Sequence, residues 1–428
     1  MKDVSSLMQT QLKADCIDFL NTVADVAELN QVSVYVVGGF VRNLLLNIQN
    51  LDIDLVVEGD GISFANKLAE KIDARTKSHE KFCTATLMLQ DRTKVDVATA
   101  RTESYSRPAV LPDIEPSNIK QDLARRDFTI NSMAIKLSGK GIFFLIDLFE
   151  GEIDLKNGLI RVLHDQSFVD DPCRIFRAIR FEQRFEFFIE DQTQHFLRSA
   201  VKINLIDQLS RDRFTKEIKI LLNEVDPIKC VDRMRELSLF DTIIPEILKE
   251  DFHWAIMKNI EGALALADKI PMPKKPEVWF VYFHAMLMVK NGEVFEGMMK
   301  RLNLANNIGS RLQSAQKCFI EGMSDLREEK ELKPSEVYDI FSKQSPEVVI
   351  LILAACPNQR VKKYVELYFT KYFASAKINL NGDDLIKMGM VPDSSFNDVF
   401  KALRDARING HVTSRDEEVS LVESQFLK

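Results

Sequence analysis

Hydrophobic residues recur at two different spacings along this 428-residue chain, and the change falls near residue 150. Residues 32–37, 52–58, 85–89, 94–99 and 142–148 are short apolar runs with strand periodicity. Gly59-Asp60-Gly61 turns the chain into a helix over 62–72, and residues 1–30 carry apolar side chains at the spacing of one amphipathic helix. From about residue 155 onward helical blocks dominate, broken by turns at 204–207, Pro245, 271–276 and 381–383. Residues 101–120 hold Pro108, Pro112 and Pro116 with little periodicity, which predicts a mobile loop. A chain of this length exceeds one core. The expected architecture is an α/β head followed by an all-α remainder.

Bulk composition narrows the setting. The six cysteines are scattered singly, without a CxxC pair or Cys/His cluster, so neither zinc nor a disulfide framework is expected. The six histidines show no metal or triad spacing. The first twenty residues carry charges and no uninterrupted apolar stretch, so no secretory signal is expected. The longest apolar run, 348–356, is too short to span a bilayer and predicts a buried helix. These features point to a cytoplasmic protein with no membrane partner. The net charge of −7 argues against indiscriminate polyanion binding but leaves room for a local basic groove.

Within the head, Val36-Val37-Gly38-Gly39-Phe40-Val41-Arg42 leaves an apolar strand through a Gly-Gly turn, and Leu51-Asp52-Ile53-Asp54-Leu55 follows after a short spacer. Residues i and i+2 of a strand share a face, so Asp52 and Asp54 place two carboxylates together. Such like charges repel, and a divalent cation is the usual compensation; an all-oxygen pair suits Mg2+. Gly38 and Gly39 let backbone amides approach a bulky anion such as a triphosphate. Two solvated aspartates after a turn is the plainer alternative.

Further along, Asp122-Leu123-Ala124-Arg125-Arg126-Asp127-Phe128-Thr129-Ile130-Asn131 puts adjacent guanidinium forks for phosphate at the opening of a helix-like segment. Asp170-Asp171-Pro172-Cys173-Arg174-Ile175-Phe176-Arg177-Ala178-Ile179-Arg180 places Pro172 in a first helical turn, with Asp171 as its N-cap. Arg174, Arg177 and Arg180 then fan around one side of that helix. A carboxylate accepts from a base amino group and a guanidinium donates to ring nitrogen and carbonyl positions, so Asp171 and Arg174 can select cytosine and adenine without a nucleic-acid template. A plain cap and a solvated helix face remain the alternative. Arg177 and Arg180 fit phosphates or hold the helix.

Over roughly residues 30–225 these motifs, in this order, resemble the class II tRNA nucleotidyltransferases, the CCA-adding enzymes and their bacterial poly(A) polymerase relatives. The resemblance implies a nucleotidyltransferase-type mixed-sheet head (1–146), a base-recognising neck (147–210), a body (211–330) and a tRNA-binding tail (331–428). It implies transfer of CMP and AMP from CTP and ATP to the 3′ end of tRNA by two-metal catalysis. Asp52, Asp54 and Asp96 would be the catalytic acids, with Asp52 and Asp54 on the metal. Nucleotide would be held by Gly38, Gly39, Arg42, Arg125, Arg126, Asp127, Asn131, Asp171, Arg174, Arg177 and Arg180. Asp96 also reads as an ordinary surface acid on its strand. Asn43 stands where the family usually has Asp.

Two more segments match. Asp147, Gly151 and Arg161 have the spacing of the family's hinge, with a bending Gly and an Asp/Arg pair that rearranges; a surface ion pair across a strand-turn-strand is the alternative. Ser210-Arg211-Asp212-Arg213-Phe214-Thr215-Lys216-Glu217 is expected to start a helix capped by Ser210, with Arg213 and Glu217 paired along it and bracing the base-reading helix. Lys274, Lys275, Lys300, Arg301, Arg311, Lys362 and Lys363 are candidate tRNA contacts or simply solvated faces.

Rival readings are an A-adding or CC-adding enzyme, a poly(A) polymerase, and a catalytically silent RNA-binding protein. The segment 167–177 is similar to that of some bacterial A-adding enzymes, although those often carry extra N-terminal domains, which this reading does not find. The presence of residues 101–120 disfavours CC-adding, and the lack of a Gly-Arg-Arg-Phe-type segment near 80–86 disfavours poly(A) polymerase. Retention of Asp52, Asp54, Arg126 and Arg174 argues against loss of chemistry.

Overall fold

The computed structural model describes residues 2–49, 52–139, 142–245, 251–289, 291–327 and 330–427. Leu51 of the Asp-x-Asp motif lies outside them. The chain divides into two units: residues 1–217 with 224–243, and residues 218–223 with 244–428.

The first unit is built on an eight-stranded mixed sheet. Its strands in chain order are β1 (Lys2–Asp3), β2 (Ser33–Val37), β3 (Ile53–Glu58), β4 (Arg75–His79), β5 (Thr84–Met88) and β6 (Lys94–Thr99), then β9 (Met133–Lys136) and β10 (Phe144–Asp147). β7 (Arg101–Ser104) and β8 (Asp113–Pro116) form a separate antiparallel ribbon. The sheet order is β1-β10-β9-β2-β3-β6-β5-β4, with β3 and β6 parallel. Its helices are α1 (Ser5–Gln11), α2 (Ala14–Leu29), α3 (Gly39–Leu45), α4 (Gly61–Ile72), α5 (Ile119–Ala124), α6 (Gly151–Asn157), α7 (Ser167–Asp170), α8 (Cys173–Phe185) and α9 (Asp191–Lys202). α10 (Arg211–Leu221) follows. Tyr35, Val37 and Val56 of the sheet pack with Ala100, Leu123 and Ala134, so one sheet face and α5 share an apolar core.

The second unit is helical among its described residues. The apolar run near 350 forms Pro346–Ala355, buried as expected, and packs with Asp251–Ala267 and Val278–Leu287. A further apolar cluster joins Leu380, Leu385, Val399, Leu403 and Val422. Arg311 pairs with Glu277 and Glu347 and lies 3.9 Å from the Phe280 ring centroid, so it braces this unit rather than standing free for RNA. No helix of the described residues is long and apolar enough to cross a membrane.

Several expectations are corrected. Residues 1–30 are not one helix: Leu12 and Lys13 adopt extended backbone, and the break lets Val4, Met8 and Leu12 bury beside α2. Residues 101–120 are not irregular throughout: 101–104 and 113–116 pair as the β7–β8 ribbon around an irregular stretch at 105–112, and strand Arg101–Ser104 is tied down by ion pairs from Arg101 and Arg125 to Glu103. β4 escaped notice because all five of its residues are exposed, so this edge strand has no apolar face to show a period. Arg125 and Arg126 follow the end of α5 instead of opening a helix, since Asn118 caps that helix upstream and Phe128 and Ile130 are buried beyond it.

The hinge candidate is wired differently from expectation. The Asp147 carboxylate accepts from the amides of Gly151 and Glu152, both at 2.8 Å. Arg161 pairs with Asp154 and Glu190. Gly151 is needed for close approach: a Cβ there would lie 2.3 Å from the Thr129 carbonyl oxygen. Gly151→Ala is therefore expected to destabilise the protein by about 3 kcal/mol through forced backbone displacement. Urea unfolding checks this, and an unchanged midpoint would remove the packing argument.

Candidate active site

The acids come together through strand register. Asp54 lies on β3 opposite Asp96 on β6, as Cα partners in the parallel pair. Ile53 and Leu55 bury on the other face, which leaves Asp54 half-buried and turned the opposite way. Asp52 is exposed immediately before β3, which begins one residue later than the sequence suggested. The Asp54 carboxyl is pushed up to about 6, chiefly by burial; Arg126 pulls it down, while Asp96 and Asp52 push it further up. Thr86 Oγ1 donates to Asp96 Oδ1 at 2.7 Å. Among the described residues no three His, Cys, Asp or Glu side chains form a metal-holding cluster.

The Gly-Gly turn faces these acids. Gly38 has φ +67°, and a Cβ on it would come 2.9 Å from Arg126 Nη1, so the missing side chain lets that guanidinium lie against the turn. Gly39 begins α3, which carries Arg42. Arg42 is only 6% exposed. Its Nη1 donates to Asn131 Oδ1 at 2.5 Å, and its Nε and Nη2 both donate to Asn43 Oδ1.

Arg125 and Arg126 are both held by Asp122, a fully buried acid that the sequence reading quoted but did not assign. Burial pushes the Asp122 carboxyl up, but Arg126 and Arg125 outweigh it and hold it below the usual range. The i, i+3 and i, i+4 spacing ahead of two arginines was the available signal. Asp127, held down to about 2 against its burial mainly by Arg177, accepts from Arg177 and Asn131. Asp127 and Asn131 thus orient arginines from inside the wall.

α8 begins one residue later than predicted, so Pro172 rather than Asp171 stands at its N-cap; Asp171, one residue further out, still accepts from the Cys173 amide. The expected Arg213–Glu217 pair does not form. Arg213 Nη2 instead donates to Asp171 Oδ1 at 2.6 Å and Nη1 to the Ala109 carbonyl. Ser210 does cap the helix, accepting from the Arg213 amide. Arg174 is buried, with Nη1 on Ser167 Oγ and Nη2 on the Arg125 carbonyl.

These elements enclose a cavity of about 680 Å³ lined by Gly38, Gly39, Asp54, Arg126, Asp171 and Arg174 among others. Its described lining carries nine basic and five acidic side chains. An excess of four positive charges matches a polyphosphate, although the whole chain is acidic. Two lining groups, Arg126 Nε and Arg180 Nε, are buried without a hydrogen-bond partner, donors that suit an anionic ligand. Asp54, Arg125 and Arg126 also line an adjoining cavity of about 300 Å³ with Thr84 and Asp96. The sequence reading missed Glu103, Tyr105 and Arg184 in the larger cavity, since no motif held them, and it gave Arg213, Lys216 and Glu217 only as part of a bracing helix.

A nucleotidyltransferase head is the class of protein this arrangement defines. Residues 34–161 match the poly A polymerase head domain, and residues 186–250 match a probable RNA and SrmB-binding site of polymerase A. The A-adding tRNA nucleotidyltransferase of Geobacter sulfurreducens is 37% identical over 98% of this chain, which spans 48% of that protein. The A-adding enzyme of Halalkalibacterium halodurans is 28% identical over 98% of this chain and 95% of its own length. A solved CCA-adding enzyme is 33% identical with TM-score 0.84, covering 99% of both chains, and related solved chains hold tRNA, ATP or CTP. The chain belongs to the CCA-adding family of class II tRNA nucleotidyltransferases. An A-adding relative of nearly this length exists, so extra N-terminal domains do not separate A-adding from CCA-adding members.

Proposed function

We propose that this protein transfers AMP from ATP to the 3′ end of tRNA. The observation that carries the reading is one cavity lined by both Asp54 and the arginine-bearing α8. Arg42, Arg126, Arg177 and Arg180 supply fixed positive charge for the triphosphate and for the leaving pyrophosphate. Both hydrogen bonds to Asp171 fall on Oδ1, which leaves Oδ2 to accept from the exocyclic amino group of adenine or cytosine. Arg174, with two of its five N–H groups engaged, donates to the ring acceptors. Guanine and uracil present the wrong pattern.

Asp52 and Asp54 are the proposed holders of Mg2+. The donor set is all oxygen, and burial raises the Asp54 carboxyl while Asp96 and Asp52 add negative charge beside it, a combination that a cation relieves. Two carboxylates without a closed protein cage suit an ion that takes its remaining ligands from water and substrate phosphates. When bound, Mg2+ acidifies the attacking 3′-hydroxyl and neutralises phosphate charge. Asp96 sits one strand away, held by Thr86, as the third acid of the proposal. Residues 1–146 then carry the chemistry and 147–210 the base, with 211–330 and 331–428 for tRNA, in a cytoplasmic enzyme.

The A-adding reading is supported by the curated relatives. Addition of CMP as well is the second reading, supported by the likeness to solved CCA-adding enzymes over the whole chain. tRNA ending in -CC, or lacking all of CCA, incubated with ATP, CTP or both separates them by product length. One-nucleotide extension of the -CC substrate by ATP is expected. Extension of the fully trimmed tRNA by CTP selects the CCA reading. A long adenosine ladder, or no extension, overturns the proposal.

A further inference from the structure

The sheet face that carries Asp54 runs on past the cavities to the edge of the sheet. Asp54 stands in register with Asp96 on β6, Asp96 with Thr86 on β5, and Thr86 with Lys77 on β4. Directly paired residues share a face, so these four side chains form one row across the sheet. The row beside it holds Arg75, Met88 and Lys94. Arg75, Lys77 and Lys94 are exposed, and among the described residues no ion pair neutralises them. Thr76 and Ser78 alternate with them on β4, are uncharged and turn to the other face, where α4 packs on the sheet. The positive charge of this edge is thus confined to the face of the acids. Protection of an edge strand accounts for charge on β4 alone, yet Lys94 stands on the interior strand β6.

In-line transfer of a nucleotidyl group puts the attacking and leaving oxygens on opposite sides of the phosphorus. Asp54 lies on the wall of both cavities. The larger holds the arginines suited to the leaving pyrophosphate, so the attacking hydroxyl belongs in the smaller, which Thr84 and Asp96 line. The open face of β6, β5 and β4 continues from that smaller cavity. Lys77 lies three strands from Asp54, about 14 Å at the usual strand spacing, within reach of phosphates a few nucleotides back from an RNA end. We propose that Arg75, Lys77 and Lys94 bind backbone phosphates of the unpaired 3′ strand of the RNA substrate and so direct its terminal hydroxyl to Asp54 and Asp96, a role that rests on the proposed function for the identity of the RNA.

The test uses the full chain in filter binding at several salt concentrations. The probes are tRNA ending in -CC and the same tRNA trimmed of its unpaired 3′ nucleotides. Arg75→Ala/Lys77→Ala/Lys94→Ala is expected to bind the -CC tRNA roughly tenfold more weakly, with a slope of log affinity against log salt shallower by about 2, the value for three single-strand phosphates. Trimming is expected to weaken binding by the parent and to leave the variant's affinity unchanged. The variant's melting temperature and its KM for ATP are expected to match the parent's, since the three side chains are exposed and do not line the larger cavity. Lys67→Ala/Lys71→Ala, on the helix that covers the opposite face, is expected to bind like the parent. Parent-like affinity and salt slope in the triple variant would refute the phosphate contacts. An equal loss for trimmed and untrimmed tRNA would place them on another part of the RNA, a raised KM for ATP would place them on the nucleotide, and a matching loss in the α4 variant would reduce them to net charge; each overturns the proposal. Failure of the parent to extend tRNA, with these binding differences intact, would overturn only the functional reading.

Discussion

Asp54→Asn is expected to abolish nucleotide addition and, at the same time, to raise the melting temperature at neutral pH. The loss of activity should reach at least about a thousandfold, because the residue lies on the wall shared by both cavities and is a proposed holder of the ion. The gain in stability follows from linkage. Its carboxyl titrates near 6 in the folded protein against 3.8 in the unfolded chain. The folded state therefore holds the proton more tightly, and stability falls as pH rises from about 4 through about 6. Above that range the ionised group costs of the order of 2 kcal/mol, allowing for solvent screening. An amide carries no such cost. Melts in EDTA at pH 7.5 should favour the variant, and the advantage should shrink towards pH 4. Added Mg2+ should stabilise the parent more than the variant. A variant that still extends tRNA, or a gap that does not change with pH, contradicts the assignment.

Asp122→Ala is expected to damage stability and binding together. The carboxylate is completely buried and receives hydrogen bonds from Arg125 Nε and Nη2, from Arg126 Nη2 and from the Arg101 amide. Removing it leaves two half-buried guanidinium groups without their shared acid, a loss of about 3–5 kcal/mol. It also frees the arginines that line both cavities, so KM for ATP should rise roughly a hundredfold. Asp122→Asn keeps the shape and part of the hydrogen bonding, so it should fall between. Denaturant unfolding and ATP titration measure the two effects. If Asp122→Ala unfolds at the parent's midpoint, Asp122 does not anchor the arginine pair.

Where the sequence reading succeeded and failed has a common cause. β6 was legible because it alternates exposed and buried residues, and β2 and β3 because they are nearly continuous apolar runs; the two-residue period of a strand also placed Asp54 away from Ile53 and Leu55. β4 was not legible because nothing on it is buried. The arginine helix was legible from Pro172 and its spacing, although its start falls one residue later and Pro172 rather than Asp171 is its N-cap. The partners of its side chains did not. Arg213 was assigned to Glu217 by local spacing, yet it reaches Asp171 across 42 residues of sequence. Arg177 likewise finds Asp127 from 50 residues away. Asn43, read as an unexplained departure, proved to be a neutral acceptor for its own neighbour.

Local spacing alone determined which residue types stand near one another along a strand or a helical turn: two acids two apart, two adjacent arginines, three arginines at helical intervals. It also determined the change from sheet to helix, since periods of 2.0 and 3.6 are properties of the backbone. Tertiary structure decided which of these charges face each other. The parallel register of β3 and β6 brought Asp96 beside Asp54, and folding of the first unit put Asp54, Arg126 and Arg174 around one cavity. Charge partners are chosen by distance in space and by burial, and neither quantity is encoded in separation along the chain.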